Sequence, residues 1–283
     1  MTRVISLINQ KGGVGKSTCA INIGAALNEA GKRVLLIDND PQSCLTRSMG
    51  TDEDDQVEAT LLNIFECYLQ EDRDCEKPGE RMQLEPTAPI IQYFRGMDYI
   101  PCELGTAMLE VRLHALPGKE GILRRYIDTI KDRYDYILID CAPSLGIMSL
   151  NALTASDSMI IPIQPGKYST DGLNQLMGIV RQVRCVANPE LFIEGILISM
   201  IDGRVGCQKR IVEDVREKWG KYMFNVMIPD NAKINEASAS CRTIIEHFPK
   251  GPGAQAYREV VKEIFAHEKA REKAKREAMK RYE

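Results

Sequence analysis

The sequence predicts an α/β fold: a mostly parallel, doubly wound sheet with helices on both faces. Three observations point there. Short, nearly continuous apolar runs alternate with helical patterns along most of the 283 residues, as strands buried on both faces do. A glycine-rich turn, NQKGGVGKST at residues 9–18, stands between the first apolar run and the first helical pattern. Two further apolar runs end in aspartate, RVLLID at Asp38 and YDYILID at Asp140.

Val4–Ile8 reads as the first strand. Ser17–Ala30 then reads as a helix, with Gly31 placed to end it. Arg33–Ile37 is the second strand, followed by an acidic loop over Asp38–Gln42. Further strands are expected at Tyr136–Ile139, Met159–Ile163 and Ile193–Ser199, with a weaker one at Tyr222–Ile228. About residues 70–89 the chain is polar, charged and holds three prolines, which suggests a surface insertion. About residues 266–283 it is rich in Ala, Glu, Lys and Arg, as an exposed helix would be. No repeat or long linker divides the rest, so a single domain over 1–283 is expected.

Hydrophobic residues make up 44% and charged residues 27%, ordinary values for a globular chain. No apolar run reaches the roughly 18 residues of a membrane span. The start shows no signal-peptide pattern, so a cytoplasmic location is expected. The nine cysteines form no C-x-x-C pair and suggest neither a zinc site nor a disulfide framework. A net charge of −3 argues against a uniformly basic surface but allows a local basic patch.

A strand, a glycine-rich turn and a helix N-terminus, in that order, make an anion site. Backbone amides of Gly12, Gly13, Val14, Gly15, Lys16 and Ser17 can converge on phosphate oxygens, and the helix dipole favours negative charge. Lys16 would reach the β- and γ-phosphates of a nucleotide, Ser17 would ligate Mg²⁺, and Thr18 would bind the α-phosphate. Mg²⁺ takes hard oxygen ligands and keeps several waters, so Asp38, Asp40 and Asp140 at strand ends of the same sheet edge fit it. The usual first glycine of such a loop would fall at position 10. That residue is Gln10, and Lys11 adds a second lysine.

KGGVGKST preceded by Asn9-Gln10, then LLIDNDPQ, then YDYILIDCAPSLG, resembles the ParA/MinD family of deviant-Walker ATPases, and within it the ParA (Soj-like) partition ATPases. The likeness continues through NALTASDSMIIPIQPGKYSTDGLNQL, ISMIDGR, IPDNAKINEA and KGPGAQAYREV. It implies a P-loop NTPase fold and a homodimer with ATP sandwiched at its interface. Lys11 would reach the nucleotide of the opposite subunit, as an arginine finger in trans does elsewhere. Asp40 would orient the attacking water, and Asp38 and Asp140 would hold Mg²⁺ through water. An adenine pocket is implied near Met200, Pro229 and Asn231.

The resemblance further implies non-specific DNA binding in the ATP state and hydrolysis stimulated by a ParB-like partner, with nucleoid association. Arg204, Lys209, Arg210, Lys233 and Arg242 are the candidate DNA contacts, with Lys250 and Arg258 behind them. Many relatives carry a basic residue where this chain has Asp230, which weakens the local positive field. Tail residues Lys269, Arg271, Lys273, Lys275, Arg276, Lys280 and Arg281 are candidates to compensate. The same core motifs would serve a ParA-like ATPase that positions a protein cargo. A MinD-like membrane switch would need a terminal helix with a bulky apolar face, and the tail lacks one.

Overall fold

The computed structural model describes residues 2–52, 55, 57–73, 84–93, 96–113, 118–166 and 169–279. In chain order the elements are β1 (Arg3–Leu7), α1 (Lys16–Glu29), β2 (Val34–Asn39), α2 (Cys44–Ser48), α3 (Leu61–Arg73), β3 (Ile91–Tyr93) and β4 (Met97–Ile100). There follow α4 (Ala107–Leu113), α5 (Ile122–Ile130), β5 (Tyr136–Cys141), α6 (Ile147–Ala155), β6 (Ser158–Ile163), α7 (Ser169–Val186) and β7 (Phe192–Ile198). The chain ends with α8 (Gly206–Trp219), α9 (Ala232–Ala239), α10 (Ile244–His247) and α11 (Pro252–Met279).

Seven strands form one sheet in the order β3-β4-β2-β5-β1-β6-β7, parallel throughout except for the β3–β4 pair. This is the doubly wound α/β architecture that the apolar runs predict. Every residue of β2, β5 and β6 is buried, because helices cover both faces. One face packs against α1, α9, α10 and α11, the other against α3 to α8. Helix α1 is apolar nearly all round because it lies between the sheet and α11. At Gly24 a Cβ would come within 2.8 Å of Leu36 Cδ2, so only glycine lets α1 approach β2 this closely. On the other side of α1, Cys19 Sγ lies 3.6 Å from the Tyr257 hydroxyl of α11.

The five strong strands fall where expected, and Gly31 takes φ +79° just past α1. The weaker strand at Tyr222–Ile228 does not form. Only isolated bridges join Ile196 to Met223 and Ile201 to Pro229. The segment opens in a 3₁₀ turn, Gly220–Tyr222, and the amides of Asn225 and Val226 donate to the Glu263 carboxylate of α11, each at 2.9 Å. A side chain thus takes the donors that a strand would spend on its neighbour. Strands β3 and β4 lie at the sheet edge and are too short, at three and four residues, to stand out as apolar runs.

Of the expected insertion, residues 70–73 continue α3 and residues 86–89 form a turn, while 74–83 fall outside the described residues. The basic tail continues α11 as far as Met279, and one of its residues, Arg271, reaches the sheet. Arg271 contacts the buried Glu194 of β7 at 3.2 Å and stacks over Phe192, 4.1 Å from the ring centroid. Arg3 and His267 reach the same carboxylate.

Candidate functional site

The site lies at the carboxyl edge of the parallel strands, where β1 turns into α1. Gly13 and Gly15 take φ +71° and +83°, a conformation that side chains disfavour, and this turns the backbone between Lys11 and Lys16. Gly15 is the N-cap of α1, and a Cβ there would also press on Met200 Cε at 3.3 Å. The loop is pinned at both ends. Asn9 Nδ2 donates to Pro162 O of β6 at 2.7 Å, and Asn9 Oδ1 accepts the Lys11 amide at 3.0 Å. Ser199 Oγ, just past β7, donates to Val14 O at 2.7 Å.

Three carboxylates converge beside this loop. Strand register pairs Asp38 of β2 with Asp140 of β5, and Asp140 with Leu7 of β1, the strand that feeds the loop. Asp38 and Asp140 are both fully buried. Asp38 is held by the Thr46 amide and hydroxyl at 2.8 and 2.6 Å, with its other oxygen accepting the Asp40 amide at 3.1 Å. Burial pushes its pKa up to about 6 against these hydrogen bonds. Asp140 differs: neither oxygen meets a donor in good hydrogen-bond geometry, and the Ser17 hydroxyl is the one side-chain donor near enough to favour its ionised form. Burial, then the charge of Asp38, drives its pKa well above the carboxylate range, while Ser17 and Lys16 pull the other way.

Two adjacent buried carboxylates, one of them orphaned, form a site short of positive charge. The residues present fit Mg²⁺: Ser17 offers a hydroxyl at the helix start, and the pair offers oxygens for its water shell. Among the described residues no group of three or more His, Cys, Asp or Glu is arranged to hold a metal unaided. An ion held mainly by phosphate and water does not require one.

Asp40 is also buried. Its backbone carbonyl accepts the Ser43 amide at 2.8 Å, and its Oδ1 accepts the Gln42 amide at 2.9 Å. Lys16 is buried, whereas Lys11 is exposed. The Lys11 Nζ lies 3.5 Å from where a Cβ on Gly166 would stand. It borders a cavity of about 530 Å³ whose other walls include Gln10, Gln164, Asp171 and Gln175. Met200, Pro229 and Asn231 meet around a smaller cavity of about 70 Å³, with Gly15, Thr18 and Tyr257. Met200 has φ +54°, a strained value for a residue with a side chain. The Asn231 side chain caps α9 by accepting the Lys233 amide at 2.9 Å.

The candidate DNA contacts fare unequally. Arg204 forms a two-pronged pair with Asp202 at 3.0 and 2.9 Å, and Lys233 pairs with Glu236 at 2.6 Å. Arg258 is held by Glu29. Lys209, Arg210 and Arg242 are exposed without an ion pair among the described residues. In the tail, Arg271 is committed to Glu194, the Lys275 side chain is not described, and Lys280 and Arg281 lie outside the described residues. Sequence reasoning missed Thr46, Ser43, Asn9 and Ser199 as supports of the site. Only Asn9 had a signal, its place directly before the lysine-glycine turn.

An AAA domain family model matches residues 2–193. Sporulation initiation inhibitor protein Soj of Bacillus subtilis (strain 168) is 38% identical over 267 residues, covering 94% of this chain and all of the relative. Chromosome partitioning protein ParA of Caulobacter vibrioides (strain NA1000 / CB15N) is 34% identical over 272 residues, covering 95% and 96%. Among solved structures, cobyrinic acid a,c-diamide synthase from Mycobacterium smegmatis, with bound ADP and magnesium, superposes with a TM-score of 0.78. It is 33% identical and covers 95% of this chain and 96% of that one. With a phosphate-loop architecture complete in the fold and partition proteins matched over nearly their full length, this chain belongs to the ParA/Soj family of P-loop partition ATPases.

Proposed function

We propose that this chain is a dimerising switch ATPase that binds ATP with Mg²⁺, closes as a homodimer around two nucleotides, and hydrolyses them slowly to ADP and phosphate. The observation that carries this reading is the orphaned, buried Asp140 beside Asp38, aligned with the loop that carries Lys16 and Ser17. A solved relative that holds ADP and magnesium supports the same ligands here.

Each residue then has a physical task. The amides of Gly12 to Thr18 cradle the phosphates, and Lys16 pairs with their charge. Bound Mg²⁺ would draw phosphate charge and neutralise the carboxylate pair. Ser17, Asp38 and Asp140 would hold the ion, Ser17 with its hydroxyl and the carboxylate pair with its negative charge. Asp40 orients the attacking water at the oxygen that the Gln42 amide leaves free. Lys11, exposed and without an acidic partner among the described residues, places its ammonium on the nucleotide of the other subunit. Met200, Pro229 and Asn231 flank the adenine.

The ATP dimer would bind DNA without sequence preference through Lys209, Arg210 and Arg242, and a ParB-like partner would trigger hydrolysis and release it. On this reading the protein would act in the cytoplasm, on the nucleoid. Among the described residues no helix is long and apolar enough to cross a membrane. Arg204 and Lys233 already neutralised by Asp202 and Glu236, together with Asp230 in the loop before α9, favour a second reading in which the cargo is a protein.

Size-exclusion chromatography with ATP tests the switch. Asp40→Ala should elute as a dimer only with ATP, and Asp40→Ala combined with Lys11→Ala should remain monomeric while still binding nucleotide. A double variant that dimerises as well as Asp40→Ala would remove Lys11 from the interface and overturn the reading.

A further inference from the structure

Strand β4 pairs with β2 only as far as Ile100 opposite Ile37, and Pro101 ends the ladder because it has no amide to donate. The next residue, Cys102, is buried, and two hydroxyls from the start of α2 hold its amide and its carbonyl. Thr46 Oγ1 accepts the Cys102 amide at 3.0 Å, and Ser43 Oγ donates to the Cys102 carbonyl at 3.0 Å. Ser43 takes φ +52°, a conformation that residues with side chains avoid, and its hydroxyl gives no cap to α2. The loop after β2 is thus bent so that both hydroxyls meet one residue just past β4.

This arrangement fixes where the Thr46 hydroxyl proton goes. An amide can only donate, so the oxygen that accepts from Cys102 has its single proton left for Asp38 Oδ2, 2.6 Å away. The Thr46 amide donates to the same oxygen at 2.8 Å, and the Asp40 amide donates to Oδ1 at 3.1 Å. Three of the roughly four acceptor positions of the carboxylate are then taken, and the one left is on Oδ1. Asp140, opposite in register, has no comparable clamp. Asp38 is closed to solvent, so water does not replace a lost donor.

We propose that Thr46 is a positioning residue for the bound cation: its hydroxyl, aimed by the Cys102 amide, holds Asp38 so that Oδ1 alone is open to the Mg²⁺ that accompanies ATP. Thr46 acts only through Asp38. Losing its hydroxyl leaves the carboxylate free to turn and the Cys102 amide without an acceptor. The cation-dependent part of ATP binding then falls, while the phosphate loop keeps its own grip. The inference rests on the Mg²⁺-ATP reading above and adds what orients one carboxylate of the pair.

Isothermal titration of the full chain with ATP, in Mg²⁺ and in EDTA, separates the two parts. The parent should bind more tightly with Mg²⁺; equal affinity in both would sink the ATPase reading, and this proposal with it. Thr46→Val keeps the β-branched shape without the hydroxyl, and should weaken binding about tenfold in Mg²⁺ but less than about twofold in EDTA. Thr46→Ala, which leaves space in place of a methyl beside Asp38, should show the same split. Thr46→Ser should return the affinity in Mg²⁺ to within about threefold of the parent. Ser43→Ala frees only the Cys102 carbonyl, and should lower the thermal midpoint with the Mg²⁺ dependence unchanged.

Equal losses in Mg²⁺ and EDTA for Thr46→Val and Thr46→Ala would mean general damage to the fold and overturn the proposal. So would a Thr46→Ser variant no better than Thr46→Val, because the hydroxyl would then not be the agent. A Ser43→Ala variant with the same Mg²⁺-specific loss would also overturn it, by placing the effect in Cys102 rather than in the bond to Asp38.

Discussion

Asp38 and Asp140 stand opposite each other on neighbouring parallel strands, both closed off from solvent, and only Asp38 meets donors in good hydrogen-bond geometry. Two carboxyl groups held this close in a buried site repel each other when both are ionised.

A carboxyl whose pKa is higher folded than unfolded binds its proton preferentially in the folded state, so ionising it costs stability. Since the Asp38 pKa is pushed up to about 6 and that of Asp140 is also raised, the ligand-free protein should lose stability as pH rises from about 4 through about 6. Asp140→Asn should flatten that slope and raise the ligand-free melting temperature at pH 7, by about 2–4 °C for each kcal/mol of repulsion removed. The same variant should lose Mg²⁺-dependent stabilisation by ATP. Calorimetric scans across pH, with and without Mg²⁺-ATP, check both.

Lys16 and Asp40 should separate binding from chemistry. Lys16→Ala removes a buried cation from the phosphate cradle and should weaken ATP binding by at least about tenfold in isothermal titration. Asp40→Ala should bind ATP and lose roughly 100-fold or more in turnover, the scale of a positioned acid–base group. Normal turnover in Asp40→Ala would move the water-orienting role elsewhere.

On duplex DNA of random sequence, an electrophoretic shift should form only with ATP and fade as salt rises. Each phosphate contact removed, as in Arg210→Ala, should lower the slope of log affinity against log salt by about 0.9. Arg204→Ala should change it less, because Asp202 already holds that guanidinium. The absence of any shift at low salt would favour a protein cargo.

Glu194 makes a prediction far from the nucleotide. Burial would raise its pKa, but His267, Arg3 and Arg271 outweigh burial and lower it to about 2 from 4.5. A depressed carboxyl stabilises the fold above its unfolded pKa and loses that contribution as pH falls from about 4.5 to about 2. Glu194→Gln should cost on the order of 3 kcal/mol at pH 7 and speed hydrogen exchange in α11 beyond Phe265, with ATP affinity unchanged. Urea unfolding and exchange mass spectrometry read the two effects.

The phosphate loop, the five strong strands and the three aspartates could all be read from the chain. Each is a local signal: a glycine run at a strand–helix junction, apolar residues in series, an acid closing a strand. Short edge strands β3 and β4 gave no such signal. The Tyr222–Ile228 strand misled, because Glu263 lies distant in sequence and takes its amides.

What the residues alone established is the ligand chemistry: phosphate needs bare amides at a helix start, and the glycines can serve little else. Folding had to set the remainder, since burial and pairing are properties of neighbours brought from afar. Register placed Asp140 against Asp38 and left it without a well-placed donor, Thr46 and Cys102 tied that pair to α4, and Asp202 and Glu236 took up two arginine and lysine charges that the chain, read linearly, offers to DNA.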